Sequence, residues 1–593
     1  MTVPPFLSDI GRLFNSGEAR VAVLTGNIHD LFPAPGGAWQ PLPEVLAGHW
    51  QVPGRIVLTY EINGPIRFHR PQDRQLVKDA WLRWRHGRDS GDLTLASLAA
   101  SGAARDELLA HSRSFDEQIL AAVGRPTVAL ELLRQCCLCS RARDSKGAAF
   151  LEPDLALIIE GADLILPEAP VTGLADADRQ RLHIALDWFA DPGFAAGADV
   201  VALLTEAAAG LNARLLRLPE VVKISVDEPD RDVRRAFLAA QSGERWCPTD
   251  SELDTLADGT AGLGLQALRQ LAMAAEHAGQ APDEAAVVAR VERHIQAQLG
   301  EDVVSFKRPG HGLRQVVGAR ALTGFLRDEL APRIRAGGAG ALSGCAVAGP
   351  IGAGKTFIFE ALAGELGLPV LELGSIRSQW FGQTDVIIER LRRVLTSLGR
   401  VVIIVDEADT QFGRLSDQSH ETERRLTGKI QAMMSDPALL GKVFWLLMTA
   451  RIERLSPDLR RPGRVGDLIV PVLDPEPDDR ADFVAWALKP SLGSEIDPAV
   501  LERITAATSG YSAAAYAALR RELAALGRVD ADRVQALVDD LLPADIGAAR
   551  RYQTLQALVN CTRRSLLPDP TVSEATREAW HNELRSLEAR GLA

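Results

Sequence analysis

At several points along the chain, apolar residues come in short continuous runs instead of alternating with polar ones. The clearest are "VAVLTG" at 21–26, "VVALLT" at 200–205, "CAVA" at 345–348, "VVIIV" at 401–405 and "VFWLLMT" at 443–449. Continuous runs of this length fit parallel strands buried on both faces, because neither face of such a strand meets water. Long stretches of helical composition separate them, so the pattern predicts an α/β chain with parallel sheets. Two of the strand endings resemble each other: "ALIIEGADLIL" at 156–166 and "VIIVDEADTQF" at 402–412. Each apolar run closes on an acid and leads into Ala-Asp. The second run carries Asp406-Glu407 where the first carries Glu160-Gly161.

The likeness extends well past these endings. Thr205 follows Glu160 by 45 residues and Thr449 follows Asp406 by 43, each at the end of a further apolar run. Pro229 and Pro475 both lie 69 residues on, with Arg234 and Arg480 five residues beyond them and Phe237 and Phe483 eight beyond. "DGTAGLGLQALRQLA" then mirrors "ATSGYSAAAYAALRRELA", a Thr-x-Gly turn entering an Ala/Leu-rich helix. Agreement this sustained predicts an internal repeat. The expected organisation is a first α/β core at 1–225 with a helical insertion, a helical lid at 226–300, a second core at 301–472, its lid at 473–545, and a helical tail at 546–593. "VSFKRPGHG" (304–312) reads as the link between the halves and "AGGAGALSG" (336–344) as a flexible approach to the second core. In the insertion, "LVKDAWLRWRHGRD" reads as a half-buried amphipathic helix carrying Trp81 and Trp84, or as a partner surface. The tail reads as two helices broken at Pro568 and Pro570, with Ser573 capping the second.

The second copy carries the chemistry. Gly349-Pro350-Ile351-Gly352-Ala353-Gly354-Lys355-Thr356 fits the pattern GxxxxGK[ST] between a strand and a helical run. A Gly-rich turn there points successive N–H groups at phosphate oxygens, and the binding stretch runs from Gly349 through Phe357. Lys355 would reach the β and γ phosphates of ATP, and the Thr356 hydroxyl would hold Mg²⁺. Asp406, 51 residues after Lys355, would hold that metal too, and Glu407 would orient or deprotonate the attacking water. Thr449 and Ala450 end the next strand, where a polar group could touch that water. Arg461 and Arg464 flank Pro462-Gly463. An arginine so placed can stabilise charge on the transferred phosphoryl, an effect of roughly 10³–10⁵ in rate where known. Its distance along the chain suits a site on a neighbouring subunit. The first copy has no GKT or GKS before residue 300. "VAVLTGNIHDLF" (21–32) stands in that place without a lysine, Gly161 replaces the second acid, and no RPGR follows Thr205.

"GPIGAGKT", "IIVDEAD" and "LRRPGR", in this order and spacing, resemble the AAA family of ring-forming ATPases over about residues 305–545. The resemblance implies a fold of tandem P-loop AAA+ modules, each a parallel-sheet core with a helical lid, the first module degenerate. It also implies a hexameric ring, arginine fingers at Arg461 and Arg464, and a pore loop in "SQWFGQTD". In that loop Trp380 and Phe381 would grip an extended polypeptide, or one ring would pack into the core. Two positions depart from the family pattern. Ala450 stands where an Asn is usual, which passes any water contact to Thr449. "TSGYSAAAY" offers no arginine at the start of its helix.

Composition narrows the function. The 593 residues include 66 Lys and Arg against 78 Asp and Glu, a net charge of −12, which argues against a nucleic-acid motor. No run of about 18 apolar residues predicts a membrane span, and no secretory leader is legible at the N-terminus. Six cysteines without zinc-ligand or disulfide spacing suit buried free thiols in a cytoplasmic protein. The leading expectation is a homo-oligomeric ring that couples ATP hydrolysis to remodelling, unfolding or disassembly of an unidentified protein client. The alternative is a nucleotide-gated assembly factor or scaffold that switches conformation without threading.

Overall fold

The computed structural model describes residues 3–170, 172–243, 246–300, 303–374, 384–412, 421–541 and 546–591. The chain falls into two units, Met1–Val291 with Asp385–Arg393, and Glu292–Thr384 with Val394–Ala593. The first contains β1 (Val21–Gly26), a hairpin of β2 (Leu31–Pro33) and β3 (Trp39–Pro41), β4 (Arg55–Tyr60), β5 (Arg67–Phe68), β6 (Asp154–Ile159), β7 (Val200–Thr205) and β8 (Val221–Val226). Its main sheet runs β8-β1-β7-β6-β4-β5, and only the β4–β5 pair is antiparallel. The second contains β9 (Val304–Phe306), β10 (Gly344–Ala348), β11 (Val370–Leu373), β12 (Val401–Val405), β13 (Val443–Thr449) and β14 (Ile469–Pro471). Its sheet runs β14-β10-β13-β12-β11-β9, and only the β9–β11 pair is antiparallel. The five parallel strands follow the same order in both sheets, whereas the antiparallel edge strand comes from after β4 in the first and from before β10 in the second. The chain is a tandem of α/β modules.

The continuous apolar runs are the inner strands of these sheets. Along β1, Val21 and Val23 join one apolar layer with Trp188 and Phe189, while Ala22 and Leu24 join the opposite layer with Phe6 and Trp50. Every residue of β7, β10, β12 and β13 is buried. Residues 304–306, read from sequence as linker, form the antiparallel edge strand β9, where Phe306 pairs with Leu371. Three residues of edge pairing carry too little pattern to stand out from a linker.

Four helices follow each sheet: Arg231–Gln241, Asp250–Gly259, Leu265–Ala278 and Glu284–Leu299 after the first, the last spanning the unit boundary at Val291, and Pro477–Leu492, Pro498–Ala507, Ala513–Leu526 and Ala531–Asp540 after the second. The repeated residues do the same work in both. Arg234 donates to the Pro229 carbonyl at 2.6 Å and Arg480 to the Pro475 carbonyl at 3.4 Å. Thr260 and Thr508, both fully buried, end their helices by donating to the Leu256 and Ile504 carbonyls at 2.6 and 2.8 Å.

The insertion of the first unit is four helices, Pro71–His86, Ser90–Ala99, Ala103–Ala121 and Pro126–Arg141. Trp81 is buried and donates to the Gln135 side chain at 3.0 Å, and Trp84 packs partly buried against the same core. This is the amphipathic-helix reading. All six cysteines are free thiols. Four are buried, whereas Cys561 is half-buried and Cys247 exposed, so the expectation of burial fails for these two. Among the described residues no helix is long and apolar enough to cross a membrane. The tail forms helices Gly547–Asn560 and Glu574–Ala589, the second capped by Ser573 accepting from the Thr576 N–H at 3.1 Å.

Asp199 ties the insertion to the sheet by accepting from the Ser140 hydroxyl at 2.6 Å and the Leu155 N–H at 2.7 Å. Burial pushes its carboxyl up to about 6. The folded chain therefore holds this proton to a higher pH than the unfolded chain does. Stability from the group is greatest below the ordinary carboxylate range and falls as pH rises toward about 6. Asp199→Asn should remove that loss. Denaturant midpoints of the two proteins should shift in favour of the Asn variant between pH 4 and pH 7.

Candidate functional site

The segment between β10 and the helix Lys355–Leu366 is shaped by its glycines. A Cβ at Gly349 would lie 1.9 Å from the Val472 carbonyl oxygen, so only glycine lets the loop pass β14. Gly354, at φ +88°, turns the chain into the helix. Lys355 folds back over the loop and donates to the carbonyls of Gly349 at 2.8 Å and Pro350 at 3.0 Å. Burial lowers the affinity of its amine for the proton, and the carboxylates of Asp406 and Asp409 oppose that effect.

Asp406 and Glu407 follow β12. The Thr356 hydroxyl donates to Asp406 at 3.1 Å, and the Glu407 N–H donates to Asp406 at 2.8 Å. Glu407 is exposed, with φ +49°. Among the described residues only Ala319, at φ +50°, shares this left-handed backbone without being glycine. Both line one cavity of about 1200 Å³. Left-handed non-glycine residues are costly and cluster where function holds them.

The cavity gathers the predicted residues from Ile351 to Phe357, together with Asp406, Glu407, Thr449 and Ala450. Gly349 and Pro350 approach it through their carbonyls, which hold Lys355. Thr449 is buried; its hydroxyl donates to Asp409 at 2.6 Å and accepts from the Arg451 N–H at 2.8 Å. Arg461 and Arg464 are not among the lining residues. Arg461 is exposed, 3.6 Å from Asp458. Trp380 and Phe381 lie outside the described residues.

Sequence reading missed several members of the site. Asp409 sits one turn beyond Asp406, and the repeated Ala-Asp of the strand endings was the available signal. Phe483, Trp486 and Arg520 come from the lid, with the Arg520 guanidinium 4.7 Å from the Trp486 ring centroid. Arg520 lies well inside its helix, which is why no arginine stood out at the helix start. The segment Gln315–Leu322 and the tail residues Ser565–Pro568 also line the cavity, and nothing in their composition marks them.

The same positions of the first unit carry different side chains. Gly161, at φ +61°, takes the backbone turn that Glu407 takes. Glu160 is 3.0 Å from the Arg67 guanidinium. The turn after β1, residues 27–30, carries no lysine. Instead, buried Asp30 accepts from the lid N–H groups of Leu265 at 2.7 Å and Gln266 at 2.8 Å.

Comparison with known proteins agrees with this division. Residues 345–471 match the family described as ATPase family associated with various cellular activities (AAA). Residues 1–227 match the N-terminal Rossmann-like domain of AAA+ chaperones. By the first of these matches, residues 345–471 carry an AAA-family ATPase module. Protein SAV of Sulfolobus acidocaldarius is 28% identical over 203 residues, 33% of this chain and 26% of that protein. The Cell division cycle protein 48 homolog of Archaeoglobus fulgidus is 30% identical over 189 residues, 30% of this chain and 25% of that one. Fidgetin-like protein 1 of Caenorhabditis briggsae is 27% identical over 308 residues, 50% of this chain and 47% of that one. The chain thus spans about a quarter of the length of its first curated relatives.

Because Glu407 holds a backbone better suited to glycine, Glu407→Gly should raise stability by up to about 1 kcal/mol while abolishing hydrolysis at this AAA site. Denaturant unfolding and phosphate release check the two halves of this expectation. An unchanged or lower stability would remove strain from the description of the site.

Proposed function

We propose that the second module binds and hydrolyses ATP, and that rings of this chain use the reaction to remodel protein clients. The observation that carries the reading is the convergence of Lys355, Thr356, Asp406 and Glu407 on one cavity. The Lys355 ammonium would exchange the Gly349 and Pro350 carbonyls for phosphate oxygens. The Glu407 carboxylate would take the proton of the water attacking the γ-phosphorus, with the bridging oxygen leaving on ADP. The Thr356 hydroxyl and Asp406 carboxylate are hard oxygen donors suited to Mg²⁺. When bound, that ion supplies positive charge to the β and γ phosphate oxygens. The Thr449 hydroxyl proton is committed to Asp409, so we assign Thr449 the task of fixing Asp409 beside Lys355.

Arg461 and Arg464 would complete the site of an adjoining copy, which accords with their absence from the lining of their own cavity. In this reading residues 301–472 are the catalytic core and 473–545 its lid. The first core (1–225) and lid (226–300) act as scaffold, and 546–593 is an accessory tail. The ring, hexameric by family resemblance, would engage clients through Trp380 and Phe381. Six free thiols support a cytoplasmic setting.

Mixing provides the test. Glu407→Gln chains should bind ATP but hydrolyse it at least about 10²-fold more slowly. Chains with Arg461 and Arg464 both changed to Ala should also be nearly inactive. Combined, the two inactive proteins should recover part of the wild-type rate, because intact arginines of one can serve the intact Glu407 of the other. No recovery in co-assembled rings would overturn the shared site.

A further inference from the structure

The loop Gly349–Thr356 is held on its outer side by the C-terminal tail. Ile351 stands at the tip of the loop and is 51% exposed, so the core around it does little to fix its position. Both of its backbone polar groups are bonded to the helix Gly547–Asn560. The Ile351 N–H donates to the Gln553 side-chain oxygen at 3.0 Å, and the Ile351 carbonyl accepts from Arg550. Gln553 is buried, and Arg550 is anchored in turn on the Asp474 carboxylate.

Beyond this helix the tail continues along the module. Ile469 of β14 donates to the Thr562 hydroxyl at 2.9 Å, and the Thr562 N–H donates to the Ile469 carbonyl at 3.3 Å. Leu566 is buried in the core of the module, while Leu567 and Pro568 join it in lining the cavity. The tail therefore contributes both a brace behind the phosphate loop and part of the cavity wall.

We infer that Gln553 and Arg550 are positioning residues for nucleotide binding. They fix Ile351, and the remaining N–H groups of the loop are thereby held ready for phosphate. This rests on the proposed nucleotide reading of the cavity. A glycine-rich loop left free must be ordered at the moment of binding, and a loop already pinned by two bonds spends less affinity on that ordering. The tail is then a route by which anything that displaces it would release nucleotide, although it supplies no reacting group.

The test uses the full chain and mant-ADP. Gln553→Met keeps the side chain's length and apolar contacts but removes the acceptor. It should bind mant-ADP roughly threefold to tenfold more weakly, the scale of one loop hydrogen bond. The KM for ATP should rise to match while kcat stays within about twofold, since ground state and transition state lose the same contact. A purely structural role would lower the melting temperature without moving KM. Affinity and KM within twofold of wild type would overturn the inference. Hydrogen exchange on the unaltered protein gives an independent reading: ADP should protect tail amides around 553–560 together with the loop. Protection of the loop alone would contradict it. A wild-type chain that binds no mant-ADP would overturn the nucleotide reading and this inference together.

Discussion

The residue that ends the third parallel strand of each module must turn the backbone left-handed before the next helix can begin. In the first module Gly161 makes this turn at φ +61° and pays no steric penalty. In the second, Glu407 makes it at φ +49°, against the preference of any residue with a Cβ. The same turn thus presents a relaxed glycine in one copy and a carboxylate projecting into a cavity in the other. At this position the two copies differ in which residue accepts the constraint.

Around that turn, each module settles its charges differently. Asp406 is left available to the Thr356 hydroxyl, and Asp409 lies near Lys355. In the first module Glu160 is spent on Arg67, and Asp30 places a carboxylate on the lid N–H groups of Leu265 and Gln266. A fixed internal anion at a helix start satisfies donors that a bound phosphate could otherwise use. The lid of the first module is therefore closed on its core by the chain's own side chain. In the second module the corresponding contact is the Ala514 N–H to the Gly352 carbonyl at 2.9 Å, a bond to the phosphate loop itself.

Much of this was legible in the sequence because it depends on local pattern. Strands buried on both faces write themselves as apolar runs, and the phosphate loop needs its glycines in fixed positions. The repeat showed through Pro229 and Pro475, Arg234 and Arg480, Thr260 and Thr508, whose bonds recur in both lids. What stayed hidden depends on contacts between distant segments. Gln553 meets Ile351 across about 200 residues, and a glutamine in a helix announces nothing. Ala319 gives no sign in sequence of its left-handed backbone, which the lid helps to hold through Asp479 accepting its N–H at 2.7 Å. The edge strand β9 was too short to separate from a linker.

The central claim is that a single armed copy in each chain handles nucleotide, while its duplicate has become structural. Counting bound ADP per chain by equilibrium dialysis tests it most directly. The account predicts one ADP per wild-type chain and none when Lys355 is replaced by Ala. One ADP retained per Lys355→Ala chain, or two on the wild type, would contradict it.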